Sequence, residues 1–149
     1  MRFALASLVL FAAMLGLSAA PVPKAKPKDV EAIQGTWQVE TFDFDPGVPK
    51  LPFDVTQMKF TFKADGKMTM TMGDMPPKES EYKLLPAAKV KEIDMTESGR
   101  VARGIYEVDG DTLKMCVADG VNAVRPIEMK PVGMGVVLVT LKRVKDVKK

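Results

Sequence analysis

No histidine occurs anywhere in the 149 residues. That absence excludes Ser-His-Asp and Cys-His catalysis, histidine-ligated zinc and a charge switch near neutral pH. Cysteine occurs once, as Cys116. One thiol cannot form an internal disulfide, so stability has to come from burial, which a chain of this length can supply. An excess of one charge is also missing. Lys and Arg number 22 against 19 Asp and Glu, a net charge of +3, and setting the N-terminal Arg2 aside lowers it by one. Such a balance gives no footprint for nucleic acid. Basic residues do gather in the tail Lys142-Arg143-Val144-Lys145-Asp146-Val147-Lys148-Lys149. A solvated tail is one reading, and contact with an anionic surface or wall polymer the other. With no histidine and no activated thiolate, the chain is expected not to be an enzyme and to need no cofactor.

Residues 1–20 have the order of a secretory signal peptide: Arg2, then the uncharged run from Phe3 to Leu17, then Ser18, Ala19 and Ala20. The run is short for a membrane span. Cleavage after Ala20 fits the small-residue rule, although Pro21 then follows the cut and retention as an anchor stays open. No cysteine stands just after the run, which argues against a lipoprotein anchor. The expected location is therefore the cell envelope, periplasmic or extracellular, with no membrane span in the mature chain. Residues 21–28, PVPKAKPK, hold three prolines and three lysines and are expected to form an extended spacer. The remaining residues, 29–149, are expected to form one domain, opening with a short helical turn over Asp29 to Gln34 that Asp29 caps.

From Gly35 the period is two. Trp37, Val39 and Thr41 share one face; Met58, Phe60 and Phe62 share another; Met68, Met70 and Met72 a third. These patterns predict half-buried strands. Ala64-Asp65-Gly66-Lys67 and Asp109-Gly110-Asp111 are hairpin turns, because Asp-Gly tolerates the positive φ such turns need. Further strands are expected at Glu81–Leu85, Val90–Thr96, Val101–Val108, Thr112–Ala118 and Val136–Val144. Eight sequential strands without a helical period predict an all-β fold, an antiparallel up-and-down barrel, since closure removes the unpaired edges of a single sheet.

Gly35-Thr36-Trp37 at the start of the first strand and Arg143 on the last strand resemble the lipocalins, in which a Gly-x-Trp packs under a basic side chain of the final strand. The phases of Trp37 and Arg143 agree with that arrangement. Ile33-Gln34-Gly35-Thr36-Trp37, Tyr82-Lys83-Leu84, the run Gly104 to Cys116, Arg125-Pro126 and Val136-Val137-Leu138 together resemble a lipocalin-like domain family of unknown function from planctomycete-type bacteria. The resemblance implies a lipocalin-like barrel closed by Gly35, Trp37 and Arg143. It implies no substrate and no catalytic residue.

Several groups invite chemistry. Met68, Met70 and Met72, followed by Met75, offer soft thioethers of the kind that bind Cu(I); the plainer reading is methionine filling an irregular interior. Asp109-Gly110-Asp111 and Asp119-Gly120 fall short of the oxygens calcium takes, so no metal is expected. Cys116, out of phase with Leu113, Met115 and Val117, points outward or under a loop. The connection Asp43 to Thr56 carries Phe44, Leu51 and Phe53 to one end of the barrel, as a lid or as a cover for the core. A small apolar ligand is the expected partner, lodged in the interior and mouth among Phe44, Phe53, Met58, Phe60, Phe62, Met68, Met70, Met72 and Tyr82, with Tyr82 as a polar anchor. A domain with a filled core, serving structure or interaction, is the alternative, and a methionine copper site the next.

Overall fold

Alternating apolar and polar residues fold here into eight strands. The computed structural model describes residues 27–49, 51–85 and 90–145. The signal-peptide and spacer readings for residues 1–26 and the end of the basic tail, 146–149, fall outside the described residues. A helix α1 (Pro27–Ile33) leads into β1 (Gly35–Phe44), β2 (Met58–Phe62), β3 (Lys67–Met72), β4 (Lys78–Leu85), β5 (Glu92–Glu97), β6 (Arg100–Asp109), β7 (Thr112–Ala118) and β8 (Val136–Arg143). Each strand pairs antiparallel with the next, and β8 returns to β1, giving a closed up-and-down barrel. Among the described residues no helix is long and apolar enough to cross a membrane.

The helix begins at Pro27, two residues before the expected boundary, so Asp29 lies in its first turn rather than capping it. Proline suits that position, where its missing N–H is not needed. Asp29 accepts instead from Lys91 Nζ at 2.8 Å.

One end of the barrel is a packed floor. Trp37, Ile93, Leu113 and Leu141 are wholly buried there, with Phe62 and Tyr106 close to it. The rings of Phe62 and Tyr82 meet edge to face with centroids 5.1 Å apart. Large side chains fully buried in this way contribute about 1.5–3 kcal/mol each. The seam of the floor joins chain ends. Trp37 pairs with Arg143 in register, and the guanidinium carbon sits 4.1 Å from the indole centroid. Arg143 donates to the carbonyls of Gln34 and Ala32, both at 2.6 Å, and Trp37 Nε1 donates to that of Ile33 at 2.8 Å. These carbonyls at the end of α1 have no helical partner of their own, so one cation and one indole cap the helix while closing the sheet. Gly35 is required at this point: its φ is +109°, and a Cβ would come within 3.1 Å of Arg143 Nη1.

Strict alternation along β1 places Thr41 beside Val39. The structure differs. Val39 pairs with Leu141 but Thr41 with Thr140, so Glu40 is an extra residue, a β-bulge. Beyond it the phase slips by one, Thr41 faces solvent, and Phe42 joins the apolar interior. β6 and β8 differ from their expected bounds by a single residue at an end, and β4 and β5 by more. β4 starts at Lys78 rather than Glu81, and β5 starts at Glu92, leaving Val90 outside it.

Candidate functional site

Opposite the floor, the barrel is hollow. A cavity of about 590 Å³ opens at the end where β1, β3, β5 and β7 finish, and every strand lines it. Its bottom is formed by Phe60, Met68 and Met115, and its sides by Phe42, Met70, Met95, Val117, Val137 and Val139. Space remains because two inward positions carry small side chains, Ser80 on β4 and Ala102 on β6. The floor half of the barrel is filled and the mouth half is not, which side-chain types alone do not reveal. The volume lies within the range of about 300–1,000 Å³ usual for small-molecule sites.

The mouth is polar. Lys78, Glu97, Ser98, Arg100 and Asp119 rim it. Glu97 pairs with Arg100 across the tight β5–β6 turn, whose two residues Ser98 and Gly99 both have positive φ, 50° and 81°. That is the geometry of a two-residue hairpin whose twist matches the strands. The β1–β2 and β7–β8 loops are tied together at this end: Asp45 accepts from the amides of Gly47 and Gly133, at 3.1 and 3.0 Å. Those two hydrogen bonds, the Gly133 amide first, hold the Asp45 carboxyl below its usual range.

No family model, no curated protein and no solved structure matches the chain.

Of the ligand-site residues expected from the sequence, Phe60, Met68 and Met70 line the cavity. Phe62 and Tyr82 belong to the floor, and the Tyr82 hydroxyl donates to the Lys63 carbonyl at 2.7 Å, so it is not the polar anchor expected of it. Met58 and Met72 face each other across β2 and β3 and pack in the apolar cluster without lining the cavity. Phe44 and Phe53 stand apart, in a smaller hollow of about 420 Å³ formed with Leu51, Pro46 and Val48 of the β1–β2 loop. Phe42, which the bulge turns inward, borders both spaces. Residue-type reasoning missed Lys78, Glu97, Arg100 and Asp119, since polar residues beside a turn read as solvated loop. It missed Phe42 too, although the slip from Trp37 and Val39 to Phe42 and Phe44 is itself a visible change of phase.

The other candidates have structural partners. Met70 stands beside Lys78 across the β3–β4 pair, and an ammonium next to a thioether does not favour a second cation. Asp111 is engaged by Lys145 at 3.0 Å and Arg143 at 3.6 Å, and the Lys145 hydrogen bond and charge hold its carboxyl low. Among the described residues no three Cys, Asp or Glu side chains converge as a metal cage would require. Cys116 lies on the outer face of β7, fully buried beneath the β7–β8 loop, with its thiol on the Lys130 carbonyl at 3.3 Å. Burial pushes that thiol up, away from the reactive thiolate.

Proposed function

We propose that this protein binds a small apolar ligand inside its barrel, as an exported, non-enzymatic member of a lipocalin-like family. The observation that carries the reading is the cavity of about 590 Å³, walled by methionine, phenylalanine and valine and open at one end. Four of its lining residues, Met68, Met70, Met95 and Met115, are methionines, whose unbranched, polarizable side chains adapt to varied apolar shapes. The Gly35–Trp37–Arg143 floor supports the family placement, and the order of residues 2–20 supports export.

Ala102→Trp tests the binding reading. Ala102 is half-buried on the cavity wall, and an indole there occupies the space a ligand needs. The parent protein should take up an apolar probe in native mass spectrometry, in a one-to-one complex with micromolar affinity. The variant should fold and lose that complex. A parent that binds no apolar probe below millimolar leaves a structural or interaction role as the better account.

A further inference from the structure

Polarity in this cavity is confined mainly to one arc of its mouth. Lys78 opens β4, Glu97 closes β5 and Arg100 opens β6, so three neighbouring strands each bring one charged residue to the rim, with Ser80 one inward step below Lys78. Glu97 is partnered, its Oε1 3.6 Å from Lys78 Nζ. Arg100 enters no ion pair among the described residues. Across β4, β5 and β6 the arc holds two cations and one carboxylate, and among the described residues the forked donors of Arg100 are uncommitted, the geometry that receives a carboxylate or a related oxyanion. Asp119, at the end of β7 beside β6, continues the rim and brings its four charged residues into balance; what distinguishes an acidic guest is therefore the Arg100 guanidinium on the cavity side. Below the rim the wall is apolar apart from Ser80, down to Phe60, Met68 and Met115, so an elongated guest finds charged partners for its polar end only at the mouth.

Resting on the ligand-binding reading above, we propose that the cavity takes an amphiphile with one aliphatic tail and an acidic head, the tail lying inward along the methionine wall and the head held at the rim by Arg100 and Lys78. The tail supplies burial, and the head supplies orientation and selection between guests of equal tail. Glu97 has a part in that selection: it holds Lys78 in place at the rim and repels an anion that approaches off the Arg100 side.

The test is isothermal titration of the purified protein with tetradecanoate, tetradecanol and tetradecyltrimethylammonium, each below its aggregation threshold. Tetradecanoate should bind tightest, and added salt should weaken it while leaving the alcohol unchanged, because the pair is solvent-exposed and screened. Arg100→Gln should weaken tetradecanoate about two- to fivefold, the scale of one exposed charge pair. Arg100→Glu should weaken it by more than about tenfold, as like charges are brought together. Both variants should hold tetradecanol within about twofold, which also shows that they fold. Equal affinity for acid and alcohol, or preference for the ammonium head at Glu97 and Asp119, overturns the acidic-head assignment while leaving the cavity reading intact. Failure of all three probes, with Ala102→Trp indistinguishable from the parent, overturns both.

Discussion

Tyr106 shows how a buried side chain ties the stability of the fold to pH on the alkaline side. It is almost wholly buried on β6, and burial first, then the charge of Asp29, pushes its hydroxyl up to about 12. In the unfolded chain a tyrosine ionises near 10. Between those two values the unfolded state releases a proton that the folded state keeps, so folding stability is intact below about pH 10 and falls as pH rises towards 12. Denaturant titrations from pH 8 to 12 should show that decline, and Tyr106→Phe should flatten much of it. A decline of equal size in the variant would assign the effect to other groups. Gly104 is constrained for a different reason. A Cβ there would lie 2.8 Å from the Cys116 carbonyl oxygen and 2.9 Å from Val117 Cγ2, too close for any side chain without movement of the β7 backbone.

At the scale of elements, the β7–β8 connection is a strap rather than a loose loop. From it Arg125 reaches across the outer wall to the carbonyls of Gly104 at 2.7 Å and Ile93 at 3.1 Å, and to the carboxylates of Asp94 at 2.6 Å and Glu92 at 3.2 Å. One side chain thus fastens the strap to β5 and β6 together, and beneath the strap lies Cys116. Arg125→Ala should cost about 1–3 kcal/mol, the scale for unpairing partly buried polar groups, and should raise the rate at which a thiol reagent labels Cys116 in the folded protein. Rapid labelling of the parent would show that the strap does not protect the thiol. Sequence reading reached some of these elements and not others, for physical reasons. Met58-x-Phe60-x-Phe62 and the Asp-Gly turns were legible because each strand there has one wet and one dry face. The start of β4 was not, because Lys78 and Ser80 point inward at a polar mouth and break the apolar alternation. The strap was illegible too: Arg125-Pro126 can be quoted from the sequence, but that its guanidinium bridges two strands follows only from the register of Ile93 with Gly104. Whether the interior is filled depends on which residues meet at each height, and that is a property of the register as a whole.

For the whole molecule, closure rests on a contact between residues more than a hundred positions apart, Arg143 on the carbonyls of Gln34 and Ala32. Trp37 is the centre of that seam and the chain's one tryptophan. Trp37→Ala should lower unfolding stability by about 3–5 kcal/mol, as for other large aromatic truncations in a core, and should do so with one cooperative transition, since each strand is hydrogen-bonded on both sides. An unchanged melting temperature would place the weight of the fold elsewhere. The order of the strands has a further consequence for biosynthesis. β8 is hydrogen-bonded to both β1 and β7, so the first strand waits for the last before its outer edge is covered. A ribosome still making β8 holds a chain that cannot yet complete its barrel, because the seam between first and last strand is the final pairing the sequence supplies.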